Sequence, residues 1–166
     1  ECFDISNTSG RQPVGSLVSF VEGLPHKEGY RRFRIKTVDQ ADDFRMMREV
    51  LKRRLLHIEK VENDRQKWER PDLIVIDGGK GQLNAVRAVL EELNITGIDL
   101  ISRAKEKEGE NQDKVFLLGR KNPVLLGRHS NLLHLLMRLR DEAHRFAITY
   151  HRKLRAKALL VSGGVS

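Results

Sequence analysis

Three side chains in this sequence stand where their types and positions allow chemistry: Asp4, Asp77 and His144. Asp4 lies inside an apolar run, Cys2-Phe3-Asp4-Ile5-Ser6, and Asp77 closes a second one, Leu73-Ile74-Val75-Ile76-Asp77. A carboxylate among buried residues is costly unless it is hydrogen-bonded, paired or metal-bound. Either Asp taken alone could simply cap a turn. Two of them on neighbouring strands would supply the charged oxygen ligands that a hard divalent cation takes, and would repel each other without it. His144 falls one residue beyond Ala143, on a buried stripe of a C-terminal helix, which puts it at the boundary of core and cleft. An imidazole there is suited either to metal ligation or to moving a proton. Gly78 and Gly79 follow Asp77 and allow close approach of backbone or phosphate. The run Asp77-Gly78-Gly79-Lys80-Gly81-Gln82 nevertheless lacks the spacing and the hydroxyl of a Walker loop.

Several elements are needed to bring these groups together. Cys2 to Ser6, Val14 to Val21 and Tyr30 to Thr37 read as three strands of an antiparallel meander, with a turn at Glu22-Gly23. The third alternates Phe33 and Ile35 with Arg32, Arg34 and Lys36, so it should turn a basic stripe to solvent. From Asp42 the period lengthens. Asp42 or Asp43 can cap a helix that buries Phe44, Met47, Val50, Leu51 and Leu55 and frays near Lys60. Pro71 ends a polar stretch, and Asp72 to Gly79 then runs without alternation, as a strand covered on both faces does. A helix follows from Gln82 to Leu93, with Leu83, Val86, Val89, Leu90 and Leu93 on one side. A crossover returning beside the first strand would set Asp77 next to Asp4.

Asp99 to Ser102 reads as a short strand, Lys105 to Lys114 as a mobile charged loop, and Val115 to Leu118 with Val124 to Leu126 as a hairpin. A long helix from Asn131 to about Leu159 buries Leu132, Leu136, Leu139, Ala143, Phe146, Tyr150 and Leu154. The fold class expected is α/β, a mixed sheet made of a three-strand meander plus parallel strands, flanked by helices.

Composition narrows the partners. Lys and Arg number 31 against 23 Asp and Glu, a formal +8, which favours a polyanion. From Asn131 to Leu160 seven Lys or Arg stand against two acids, a balance suited to a phosphate backbone. Few aromatics interleave them, so duplex backbone contact is expected rather than base stacking. Arg31, Arg32, Lys80, Arg138, Arg145 and Arg152 are the candidates for DNA contact. The single cysteine excludes an internal disulfide and a Cys-rich zinc site, and fits a reducing cytoplasm. No apolar run is long enough to span a bilayer. The chain opens at Glu1 without Met and reads as one domain, residues 1–160, cut from a longer protein, with 161–166 as a linker-like tail.

The motifs, taken in order, resemble a known family. Glu1-Cys2-Phe3-Asp4-Ile5-Ser6-Asn7-Thr8, Tyr30-Arg31-Arg32-Phe33, Asp42-Asp43-Phe44, Ile76-Asp77-Gly78-Gly79-Lys80-Gly81-Gln82-Leu83 and Arg140-Asp141-Glu142-Ala143-His144-Arg145-Phe146-Ala147 are similar to the C-terminal nuclease domain of UvrC, the excision nuclease of bacterial nucleotide excision repair. The resemblance covers nearly the whole chain. It implies an RNase H-like fold and a Mg- or Mn-dependent endonuclease that cuts damaged double-stranded DNA on the 5′ side of a lesion. It implies Asp4, Asp77 and His144 as catalytic and metal-binding residues, and Asp43 as an auxiliary acid, although a helix cap explains Asp43 equally well. It further implies UvrB as a partner, contacted through other parts of full-length members. From the residues alone two readings stay beside it: another RNase H-like nuclease of transposase or resolvase type, and a non-catalytic DNA-binding or assembly module.

Overall fold

The structure, a computed structural model, describes residues 1–6, 13–36, 42–58, 68–105 and 112–162, the last of these without the side chains of 151 and 153–162. The elements run β1 (Cys2–Ser6), β2 (Val14–Val18), β3 (Phe20–Val21), β4 (Leu24–Pro25), a 3-10 turn (Lys27–Gly29), β5 (Arg31–Arg34) and α1 (Asp43–Leu56). Then follow β6 (Leu73–Asp77), α2 (Lys80–Glu92), β7 (Asp99–Ala104), β8 (Asp113–Leu117), β9 (Val124–Leu126) and α3 (Asn131–Ser162).

Seven strands form one sheet in the order β5-β2-β1-β6-β7-β8-β9. The meander is present: β2 pairs antiparallel with both β1 and β5. β6 returns parallel beside β1, and β7 lies parallel beside β6. The crossover expected from the continuous apolar run of β6 is therefore there. Ile74, Val75 and Ile76 are buried on both faces, as that run required.

Side chains alternate across the sheet and feed two cores. Phe3, Leu17, Phe33, Ile74, Ile76 and Leu100 pack under α1 and α2. Cys2, Val18, Val75, Val115 and Leu126 pack under α3, against Leu133, Leu136, Leu139 and Ala143. α1 sits so close to β2 that a Cβ on Gly15 would come within 2.4 Å of Val50 Cγ2. Glycine is needed there for room rather than for its backbone freedom.

Several expectations need correction. The Val14 to Val21 strand is two: it breaks at Ser19, whose carbonyl accepts from His26 N at 2.8 Å, and a separate β3-β4 hairpin turns on Glu22 (φ 50°) and Gly23 (φ 77°). The basic stripe is only partly exposed: Arg34 and Lys36 face solvent, but Arg32 does not. Arg31 stacks on Trp68 at 4.8 Å and Arg32 on Phe146 at 3.8 Å, both half-buried, and only Arg34 of the three strand arginines is exposed. α1 ends at Leu56, and Phe44 is 47% exposed on it. α2 begins two residues early, at Lys80. Asp113 and Lys114 belong to β8, not to a loop, while 106–111 lie outside the described residues. On α3 the buried stripe is Leu133, Leu136, Leu139, Ala143 and Ala147. Leu132 is 48% exposed, and Leu154 lies outside the described side chains.

Candidate active site

Asp77 is the last residue of β6, and the strand ends there for a local reason. Gly78 has φ 155°, where a Cβ would meet the Gln82 side chain at 2.6 Å, so the chain turns sharply. Gly78 N donates to Arg103 O at 2.8 Å, and Gly79 N donates to Gln82 Oε1 at 2.9 Å, which starts α2. The turn thus fixes the Asp77 backbone on both sides.

Register does the rest. Cys2 pairs with Val75 and Phe3 with Ile76, so the next rung of the parallel ladder brings Asp4 beside Asp77. Alternation puts both on the face of Cys2 and Val75, the face that α3 covers. The rung continues outward through Ser16 to Arg32 on one side and through Arg103 to Val115 on the other. A row of charge therefore crosses the sheet at the carboxyl end of β6.

From α3, His144 reaches over this row with Nδ1 4.0 Å from Asp4 Oδ1, its ring 64% exposed and the Asp4 side chain 20% exposed. Arg140, one helical turn earlier, is on the same face of α3. Burial raises the Asp77 carboxyl pKa above the usual value, and the Arg140 and Arg103 charges pull it back. The Asp4 carboxylate raises it again and His144 lowers it. The thiol of Cys2, pushed up to about 12 chiefly by burial, is also raised by Asp77 and Asp4. Cys2 is therefore an inert core residue, and two separate groups register the proximity of the two carboxylates.

Asp43 enters from α1. Asp42 is the cap, its Oδ1 accepting from Phe44 N and Arg45 N at 3.1 Å each, so capping does not occupy Asp43. Asp43 instead lines, with Asp4, Asp77, Gln82, Ile5 and Met47, a cavity of about 170 Å³. Asp4 and Asp77 are the oxygen donors that could hold a divalent cation, and Asp43 lines the same cavity. The donor set fits such an ion: hard oxygens, with like charges that raise one another's proton affinity. Among the described residues, however, no three His, Cys, Asp or Glu groups close around one point as a ligand set.

The basic candidates separate into two groups. Lys80, Arg138 and Arg152 are exposed. Arg31 and Arg32 stack on aromatic rings, and Arg145 is held by Glu142 through Nε at 2.8 Å and Nη2 at 2.6 Å. Sequence reasoning missed Arg103 and Arg140. Arg140 carried a readable signal, its four-residue spacing from His144. Arg103 carried none, because only strand register places it beside Asp77. Both line a second cavity of about 340 Å³, with Lys105, Arg128 and His134, adjoining the acidic end of β6.

A profile described as the UvrC RNAse H endonuclease domain matches residues 1–148. The chain is 54% identical over 95% of its length to UvrABC system protein C of Geobacter metallireducens, covering 26% of that protein. It is 50% identical over 96% to the protein of the same name in Citrifermentans bemidjiense, and 49% over 98% to that in Protochlamydia amoebophila, covering 26% of each. The chain spans about a quarter of the length of the curated relatives it matches. With its mixed seven-stranded sheet between helical layers, this chain belongs to the UvrC RNase H endonuclease domain family.

Proposed function

We propose that this domain hydrolyses a phosphodiester of damaged double-stranded DNA on the 5′ side of a lesion, as the endonuclease part of a UvrABC nucleotide excision repair system. In that system UvrB is engaged by other parts of the full-length protein. The observation that carries the reading is the placement of Asp4 and Asp77 at one rung of two parallel strands, beneath His144 and beside Asp43.

Asp4 and Asp77 bind the divalent cation, Mg²⁺ or Mn²⁺, with Asp43 as an auxiliary acid. When bound, the cation neutralises phosphate charge and acidifies an attacking water. Asp43, not engaged by the helix cap, accepts a hydrogen bond that orients the water. His144 stands at the rim and moves a proton at the leaving oxygen. Arg140 faces the same point and draws a non-bridging phosphate oxygen against the sheet. Lys80, Arg138 and Arg152 are exposed and hold the flanking backbone, whereas Arg31, Arg32 and Arg145 have their guanidinium groups engaged within the domain.

The test is a reconstituted incision assay with full-length protein carrying Asp4→Asn or Asp77→Asn. Loss of 5′ cutting to background, with thermal unfolding and 3′ cutting unchanged, is the expected result. Retained 5′ cutting by either variant overturns the assignment.

A further inference from the structure

Arg103 is buried, its side chain 4% exposed, and its guanidinium is divided between two acids. Nε donates to Asp113 Oδ2 at 2.8 Å and Nη2 approaches the same oxygen at 2.6 Å. Asp113, 8% exposed, comes from β8, whose antiparallel register with β7 puts it on the same face as Arg103. Nη1, on the opposite edge of the guanidinium, is also buried and has no hydrogen-bond partner among the described residues. It lies 3.9 Å from Asp77 Oδ1, too far for a hydrogen bond.

A buried ion pair is seldom a net gain in stability. Apolar replacement of both partners is often neutral or favourable, while an unpaired buried N–H costs free energy. Stability alone thus gives no reason for this arrangement, and the unmade bond points at the candidate catalytic carboxylate. Closing it would take a shift of about 1 Å, because N–H···O bonds form near 2.9 Å.

We propose that Asp113 is a tether that holds Arg103 at a stand-off from Asp77, and that the Arg103–Asp113 pair is a positioning device for that carboxylate. The inference rests on Asp77 being a cation ligand. At stand-off, Arg103 attracts Asp77 and fixes its orientation while leaving the carboxylate lone pairs available. In contact, the guanidinium would take those lone pairs and compete with the cation. The two contacts to Asp113 set the plane of the guanidinium and compensate most of its charge, and that keeps the gap open. Arg140 also acts on Asp77, but its side chain is 37% exposed and pairs with Asp141 at the surface, whereas Arg103 is buried with Nη1 3.9 Å from Asp77 Oδ1.

The test reads Mn²⁺ binding to the full-length protein, followed by the electron paramagnetic resonance signal of free Mn²⁺. Asp113→Asn removes the charge that restrains Arg103 and is expected to weaken binding about 10- to 100-fold, the usual effect of an outer-shell partner. Asp113→Glu keeps the charge and should retain affinity. The double variant Arg103→Met, Asp113→Asn removes the competitor and should restore affinity to within a few-fold of the unsubstituted protein. The tether is overturned if Asp113→Asn binds Mn²⁺ normally, or if the double variant binds as poorly as the single one. Failure of the underlying site looks different: Asp77→Asn would then bind Mn²⁺ as well as the unsubstituted protein does.

Discussion

Among the described residues two arginines are buried, at opposite ends of the parallel strands, and they are held in different ways. Arg54, on α1, is 2% exposed and meets Glu1 ahead of β1, with Nη2 2.6 Å from Oε1 and Nε 3.2 Å and 3.1 Å from the two carboxylate oxygens. It also donates to Glu69 O and lies 5.2 Å from the Trp68 ring. Arg103, at the other end, makes contact with one acid and holds back from a second. The first arrangement closes a joint between α1, β1 and the segment before β6. The second leaves a charge poised beside Asp77. Both arginines keep a buried Nη1 without a hydrogen-bond partner among the described residues, so it is what that nitrogen faces, an acid in Arg103, that decides whether the arginine fastens the fold or tunes a site.

The widest separation between the two should appear in stability. Arg54→Leu strands Glu1 without its partner, and breaking a buried pair costs about 3–5 kcal/mol. For a domain of this size that is a fall in melting temperature of about 10 °C or more. Incision per folded molecule should be unchanged. Equal loss of turnover at a temperature where the variant is folded would abolish the distinction drawn between the two ends.

The converse substitution removes the second pair cleanly. Arg103→Met with Asp113→Leu leaves neither member of the pair buried without the other, so its unfolding free energy should stay within about 1 kcal/mol of the original. The same protein lacks both the tether and the competitor, so 5′ incision at limiting Mg²⁺ should stay within a few-fold of the original, whereas Asp113→Asn alone should lower it about tenfold. Denaturant unfolding beside a metal titration of cutting reads both. A large stability loss in the double variant, together with normal metal dependence in Asp113→Asn alone, would make Arg103 a second Arg54.

This contrast also marks where sequence could and could not reach. The strands carrying Asp4 and Asp77 are legible because an apolar run containing a carboxylate is conspicuous, and the lack of alternation in β6 announces a strand covered twice. The closing helix is legible too, yet its phase at the start is one residue off, Leu132 standing in for Leu133, because adjacent leucines satisfy the same period. Asp42 and Asp43 are interchangeable as caps until backbone geometry chooses Asp42 and releases Asp43 to the cavity. Arg32 reads as part of a solvent-facing stripe with Arg34 and Lys36 because alternation cannot reveal that Phe146 comes back to cover it. Arg103 and Asp113 are invisible as a pair. One sits just past an expected strand end and the other inside an expected loop, and only the β7-β8 register joins them.

A third ionic arrangement sets a lower bound for the comparison. Glu142 on α3 accepts from Tyr30 Oη at 2.9 Å and is paired with Arg145 at 2.6 Å, beside the Tyr30–Phe146 ring contact. The Arg145 hydrogen bond, the largest cause, holds the Glu142 carboxyl below its ordinary 4.5; burial opposes it, and the hydrogen bond from Tyr30 adds a smaller lowering. A carboxyl depressed on folding adds stability above its unfolded pKa, and that stability disappears as pH falls through the folded value. Arg145 is exposed to solvent, so the gain is small, under about 1 kcal/mol. Glu142→Gln should therefore unfold slightly more easily than the unsubstituted protein at pH 7, and the gap should narrow below about pH 4.5 and vanish once the native carboxyl is protonated. Thermal unfolding across that range measures it. A gap that persists at the acid end, where both side chains are neutral and both can accept from Tyr30, would mean that packing rather than charge sets the effect, and Glu142 would then differ from both buried pairs in kind as well as in size.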